Sequence, residues 1–354
     1  MKLSFRNYIK MKTEKNKIMK KYYHFVPSRF RAFALSRLRA FAPSCLRAFM
    51  LSYLRAFALL CFASILFSAC NSDKTIVKEP DNNYSPYSNK VYEYLPAPGQ
   101  FINEPLSGFE NVTTPKAAIE YAEKRLKNFD MISLGGFGGY IVVGFDHSIE
   151  NKGGYDFSVK GNAFDNSSEP GVVWVMQDEN KNGLPDDTWY ELKGSEYGKP
   201  ETISDYEVTY YKPQNARENV VWTDNEGNSG TVDINIFHTQ DYYYPLWVTA
   251  ESYTLKGTCL KSKSYIDDND VYCTGNYDWG YVDNYGNDMI SSDKTKNFFK
   301  ISNAVKADGS NANLQYIDFI KIQTAVNEQG DKGVGEASTE IFAIKDENIY
   351  KVES

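Results

Sequence analysis

Histidine and cysteine are scarce in this chain: 354 residues hold three His and five Cys. Beyond residue 69 only His147, His238, Cys70, Cys259 and Cys273 remain, so a centre built on imidazole or thiolate has few members to draw on. Neither a Gly-x-Ser-x-Gly elbow nor a His-Glu-x-x-His pair occurs, which removes the best-marked hydrolase and zinc-protease signatures. Beyond residue 69 no apolar run approaches the roughly 20 residues that span a bilayer as a helix. Basic charge is also short, with 39 Lys and Arg against 46 Asp and Glu. Residues 1–69 hold 14 of the basic residues and one acid, Glu14. The remainder therefore carries 39 − 14 = 25 basic and 46 − 1 = 45 acidic residues, a net charge of −20. Such an acidic chain is a poor partner for nucleic acid, whose phosphates require a basic face. It suits calcium, which prefers carboxylate and carbonyl oxygens, and equally a role for the charge in solubility alone.

The N-terminal segment is the clearest signal present. Residues 56–69 form an uncharged apolar run behind Arg55, too short to span a bilayer, and end in small residues before Cys70. This is the build of a secretory signal. Leu66-Phe67-Ser68-Ala69-Cys70 resembles the lipobox of bacterial lipoproteins, and Ser72-Asp73 resembles the surface-export signal of Bacteroidota lipoproteins. Cleavage before Cys70, lipidation of that cysteine and an outer-membrane, surface-exposed location are the expectation. Upstream, an eight-residue unit containing Arg-Ala-Phe repeats from Arg29, Arg37, Cys45 and Tyr53. It matches no solenoid period and belongs to the part removed.

The exported product would run from Cys70 to Ser354, 354 − 69 = 285 residues, long enough for a substantial core. Residues 70–90 are polar, with Pro80 and Pro86, and read as a lipidated tether; 91–354 read as the domain. One helix stands out near its start. Thr114 caps it, Pro115 fits its first turn, and Ala118, Ala122 and Leu126 recur every four residues up to Asn128. Almost all of the chain beyond this helix reads as strands. Tyr155, Phe157 and Val159 alternate with Asp156, Ser158 and Lys160, giving one apolar and one wet face; Tyr206, Val208 and Tyr210 alternate likewise. Further short runs rich in β-branched and aromatic residues lie between Gly, Asn, Asp and Pro clusters, among them Val172–Met176, Val232–Phe237 and Tyr316–Gln323. The fold class expected is all-β, a jelly-roll-like β-sandwich with one short α-helix.

The sharpest chemical motif is Asp178-Glu179-Asn180-Lys181-Asn182-Gly183-Leu184-Pro185-Asp186-Asp187. Asp178, Asn180 and Asn182 stand at positions 1, 3 and 5 of a calcium loop, Gly183 at the turn and Leu184 at the carbonyl position. Position 12 is Trp189 in place of the bidentate Glu, so Asp186, Asp187 or Glu191 must complete the set. A turn without an ion is the alternative. Asp267-Asp268-Asn269-Asp270 reads as a solvated loop tip. Leu134-Gly135-Gly136-Phe137-Gly138-Gly139 lacks the Lys-Ser/Thr of a phosphate loop and precedes a strand, so its glycines are assigned to a bend or close backbone approach. Cys259 and Cys273 are candidates for a disulfide closing a loop of about 15 residues, worth roughly 3 kcal/mol; two free thiols are the alternative. Trp222 and Trp279 lie near turn signals and are the candidate ligand-binding rings; the Tyr242-Tyr243-Tyr244 run is a second stacking candidate. Paired carboxylates for glycoside hydrolysis stay open, since acids are plentiful.

Several segments together resemble a known family: Tyr94–Asn103, Ser133–Gly139, Gly161–Phe164, Glu169–Val175, Trp189–Leu192, Phe319–Thr324 and Gly335–Glu340. They resemble Bacteroidota surface lipoproteins designated "cell surface protein", over about residues 91–345. Members are encoded near outer-membrane cobalamin uptake components, so the resemblance implies a cobamide ligand and an outer-membrane transporter as partner. It also implies a galactose-binding-like jelly roll, a type that often holds structural calcium. Function is therefore expected to be capture of a nutrient, most plausibly a cobamide, without catalysis. The alternatives are a glycan-binding or adhesion module and a glycosidase-type enzyme.

Overall fold

A computed structural model describes residues 84–349 apart from 293, 331 and 332. Cys70 and the whole leader lie outside the described residues. In chain order the elements are β1 (Lys90–Leu95), α1 (Pro115–Lys127), β2 (Ile132–Ser133), β3 (Tyr140–Glu150), β4 (Phe157–Lys160), β5 (Gly171–Met176), β6 (Trp189–Leu192) and β7 (Ile203–Tyr211). Next come β8 (Val220–Asp224), β9 (Ser229–Val232), β10 (Ser252–Cys259), β11 (Ser264–Ile266), β12 (Tyr272–Thr274), β13 (Lys296–Phe299), β14 (Ala304–Val305), β15 (Tyr316–Thr324), β16 (Glu340–Ile341) and β17 (Ala343–Asp346).

Among the described residues the protein is an all-β sandwich with a single α-helix. Its main sheet has six strands in the order β1-β3-β15-β5-β6-β14, and a three-stranded sheet runs β13-β4-β17. Named pairings are antiparallel throughout, so each strand alternates its side chains between two faces. Ile141, Val143, Val173, Val175, Ile320 and Ile322 of the large sheet share one buried cluster with Phe157, Val159, Phe299 and Ile344 of the small one. The sandwich core is thus made of the inward set of each sheet. A four-stranded sheet, β10-β7-β8-β9, has its own cluster around Tyr206, Val208, Tyr210 and Phe137.

The helix forms as its sequence requires. Thr114 accepts the Ala117 N–H at 3.2 Å, and Pro115 occupies the first turn. Ala118, Tyr121, Ala122 and Leu126 are buried, and the helix lies on β1. Tyr121 stacks on Phe109 at 4.0 Å between centroids.

Glycines of the 134–139 run make close backbone approaches. Gly135 has φ +67°, and a Cβ there would stand 2.1 Å from the Ala97 carbonyl oxygen. On Gly139 a Cβ would meet the Leu134 oxygen at 1.8 Å. Any side chain at either position would have to displace backbone.

Four expectations need correction. Asp156 and Ser158 do not face water: their exposures are 0 % and 1 %. Asp156 accepts the Ile301 and Lys152 N–H groups at 2.9 Å each, so polarity there caps a turn of backbone. Within Val232–Phe237 only Val232 is strand; Asn235 turns the chain instead, accepting the Phe237 N–H at 2.9 Å. Residues 84–90 are not free tether, since Ser88 is buried and its N–H reaches the Ile344 carbonyl at 2.9 Å. Finally, Cys259 and Cys273 are free thiols. Cys259 ends β10, with its thiol toward the Leu260 carbonyl, while Cys273 pairs with Tyr265 in the β11–β12 hairpin. Burial pushes the Cys259 thiol up to about 12.

Candidate functional site

Three places in the structure gather chemistry-bearing side chains, two of them holding residues singled out by sequence. The first is a cleft of about 220 Å³ at Trp279. Its floor is Leu192, at the end of β6, and Phe299 of β13, both buried. One wall is the segment Tyr277–Asp288, folded on its own amides. Asn284 donates to the Tyr277 carbonyl at 2.9 Å and accepts the Tyr277 N–H at 2.8 Å. Asp288 accepts the Gly280 N–H at 2.8 Å and the Asn297 amide at 3.1 Å. Gly280, at φ +90°, touches Gly194: a Cβ would come 2.4 Å from the Gly194 Cα. This contact sets Trp279 on the rim, with its carbonyl taken by the Ser195 N–H at 2.9 Å.

The rest of the lining is aromatic and basic. Tyr155 meets Phe298 edge-on at 5.8 Å, and the Lys300 ammonium lies 5.0 Å from the Tyr155 centroid. Trp279 and Tyr155 are 39 % and 37 % exposed, so both rings can be covered by a ligand. Lys193 and Asn303 complete the lining. Burial lifts Asp288 to about 6. Trp222 is elsewhere: it lies on β8 against the second core cluster, with Gly230 pressed on its ring. The tyrosine run builds no flat platform, because Tyr243 and Tyr244 are buried; Tyr242 and Tyr244 border a separate cleft of about 290 Å³.

The second place is the expected calcium loop. Asp178 accepts the Asn182 N–H at 3.1 Å and the Gly183 N–H at 2.8 Å; Asn182 accepts the Leu184 N–H at 2.7 Å. Asp187 accepts the Glu179 N–H at 2.9 Å, and Asp186 takes the amides of Asn180 and Asn182. Asp318, the residue at the register slip of β15, anchors the loop by accepting the Asp178 N–H at 2.7 Å. Six of the seven candidate ligands therefore share one exposed loop. Glu191 does not: it stands on β6 opposite Trp174 and accepts the Thr258 hydroxyl at 2.6 Å.

The third place has no counterpart in the spacing arguments. Glu169, Asp283 and Glu340 bring carboxylate oxygens within 4.8 Å of one another. Asp283 and Glu340 are 1 % and 2 % exposed. Asp283 accepts the N–H groups of Asn162, Ala163 and Glu340, at 2.8, 2.8 and 2.9 Å. Ser338 gives its N–H to Glu169 at 3.0 Å and its hydroxyl to Glu340 at 2.8 Å. Burial, and then the other carboxylates, push Glu169 and Glu340 upward; burial raises Asp283 against its three N–H donors. Nearby Glu336, 2 % exposed, is lifted by burial to about 8. These acids join segments 161–163, 169, 283 and 336–340, which no local pattern links; Glu169 and Glu340 lie in the resemblance segments but carry no motif of their own.

The two histidines serve as ties. His147 sits between Asp146 at 2.7 Å and Asp346 at 2.9 Å. His238 bonds Glu104 at 2.7 Å, and Glu104 also accepts the Ser107 hydroxyl. Neither imidazole is hydrogen-bonded to a Ser or Cys side chain among the described residues. Comparison with protein-family models finds no match for the chain, and comparison with curated proteins finds none.

Proposed function

We propose that the chain is an exported lipoprotein, anchored through Cys70, that captures a nutrient ligand without chemical change. The Trp279 cleft is its binding face. The observation that carries this reading is the pair of partly exposed rings, Trp279 and Tyr155, lining one cleft that also offers Lys193, Lys300 and Asn303. Stacking area with a few convergent polar groups is the usual make-up of a small-molecule site. At about 220 Å³ the cleft is smaller than the roughly 300–1,000 Å³ of an enclosing pocket, so it takes one ring system of a larger ligand. A cobamide, handed on to an outer-membrane transporter, is the leading ligand. Glycan binding is the second reading, favoured by the same small cleft, since a sugar ring stacks on an indole while its hydroxyls meet amide and ammonium donors. Calcium, held by Asp178, Asn180, Asn182 and Asp186 or Asp187, would stiffen the loop next to β5 and β6.

Calorimetric titration of the purified chain with cyanocobalamin tests the reading. Saturable one-to-one binding is expected, weakened about tenfold or more by Trp279→Ala, as for an aromatic anchor. An absence of heat up to high micromolar cobamide, with a glycan array bound through Trp279, would transfer the function to the second reading. Binding that ignores Trp279→Ala would remove the cleft.

A further inference from the structure

A cleft of about 290 Å³ lies at the ends of β7 and β10 and shares no lining residue with the Trp279 cleft. The strand ends place two charges in it. Tyr211 pairs with Ser252, and the Lys212 N–H then reaches the Glu251 carbonyl at 2.8 Å, so the ladder runs one step further. Side chains directly opposite on such a pair have Cβ atoms about 4.5–5.5 Å apart. Lys212 and Glu251 both line the cleft, one basic and one acidic. Neither charged end has an ion-pair or hydrogen-bond partner among the described residues. The side-chain amide of Gln214 and the hydroxyl of Tyr242, on the same lining, are likewise without a protein partner there.

The backbone around the cleft is tied down. Asn103 donates to the Tyr242 and Tyr244 carbonyls at 2.9 and 2.8 Å and accepts the Leu246 N–H at 3.3 Å. The Tyr244 hydroxyl donates to the Ala250 carbonyl at 2.8 Å. After β7, Glu218 accepts the Gln214 and Asn215 N–H groups at 3.1 and 2.9 Å. A ligand therefore orders a few side-chain ends and no loop, which keeps the entropy cost of binding low. Apolar surface is also on offer: Leu246 is 49 % exposed, and Pro245 and the half-buried Tyr242 ring line the cleft with it. Burial, and then the Glu251 charge, push the Tyr244 hydroxyl up to about 12, which sets that charge beside the tyrosine segment.

A ligand of single charge would meet one opposite and one like charge in this cleft. A zwitterion satisfies both: its carboxylate accepts from the Lys212 ammonium and its own ammonium donates to Glu251, in charge-assisted bonds stronger than neutral ones. The Gln214 amide and Tyr242 hydroxyl can add a bond each. The volume lies at the lower end of the roughly 300–1,000 Å³ of small-molecule sites, which suits a single amino acid. We propose that the cleft is a second binding site, distinct from that at Trp279, for a free α-amino acid whose apolar side chain packs on Tyr242, Pro245 and Leu246.

The test is calorimetric titration of the full chain in detergent with L-phenylalanine, glycine, L-phenylalaninamide and N-acetyl-L-phenylalanine in separate arms. Saturable binding of L-phenylalanine is expected. Glycine, which has both charges and no side chain, should bind at least tenfold more weakly. The amide, without the carboxylate, and the N-acetyl form, without the ammonium, should each lose about tenfold, as for one charged hydrogen bond. Lys212→Met should remove the preference for L-phenylalanine over its amide, and Glu251→Gln the preference over its N-acetyl form. Neither side chain bonds to the rest of the described fold, so both variants should keep the wild-type melting temperature. Trp279→Ala should leave all four arms unchanged. Failure of L-phenylalanine to saturate at low millimolar concentration overturns the site. So does binding of glycine or either blocked form as tight as that of L-phenylalanine, or a loss in Trp279→Ala equal to that in Lys212→Met.

Discussion

Two acid-rich regions of this protein have opposite physics. The Asp178–Asp187 loop is exposed, and its carboxylates face backbone N–H groups and side-chain amides within a single turn. The Glu169, Asp283 and Glu340 cluster is assembled from distant segments, with Asp283 and Glu340 buried and Glu169 partly so. In the loop, water and amides carry the charge, so ionisation costs little. In the cluster, burial and the mutual repulsion of carboxylates within 4.8 Å raise the pKa values of Glu169 and Glu340. Local spacing decides the first arrangement; long-range packing decides the second.

The largest expected effect comes from the protons. The cluster acids and Glu336 have folded-state pKa values above their unfolded values, 4.5 for the Glu residues and 3.8 for Asp283, so the folded chain binds more protons than the unfolded one above that range. Stability from these groups is full below about 4.5 and is lost as pH rises to about 8. For Glu336 alone the loss is on the order of a few kcal/mol. Thermal unfolding by circular dichroism should show a melting temperature several degrees lower at pH 8.5 than at pH 5.5. A flat or rising profile over that range would falsify protonation of the cluster. Next in size, Glu340→Gln should flatten that profile while Asp186→Asn in the loop leaves it unchanged; equal effects would erase the contrast between the regions.

A smaller effect isolates the loop. Asp178→Ala should lower the melting temperature by a few degrees in calcium and by less in chelator, since ligand binding stabilises only the state that holds it. The same loss in both conditions would leave the loop a hydrogen-bonded turn without an ion. The smallest effect concerns the thiols. With Cys259 and Cys273 free, a reducing agent should shift the melting temperature by less than a degree; a fall of several degrees would mean they are bridged.

Much of the fold was legible because it depends on short-range pattern. Thr114, Pro115 and the four-residue recurrence of Ala118, Ala122 and Leu126 mark the helix within a residue at each end. Alternation in Tyr206–Tyr210 marks β7, and glycines at 135 and 139 mark close backbone approach. Where the pattern misled, a polar residue had been read as a wet one. Asp156 is polar and fully buried because two backbone N–H groups need an acceptor there. Of the candidate rings, Trp279 lines a cleft of about 220 Å³ and Trp222 only a cavity of about 30 Å³, though both sit near turn residues. Turn signals give proximity to a loop but not what stands on its far side.

The sequence by itself determined the charge, the export and lipidation signals as expectations, the helix, the β-rich class and the loop of Asp178–Asp187. Each depends on residues within a dozen positions of one another. Only the tertiary structure decided that Tyr155 and Lys300 share a cleft with Trp279, and that Glu169, Asp283 and Glu340 meet. Those neighbours come from strand order and register, which are fixed by the burial of whole sheet faces.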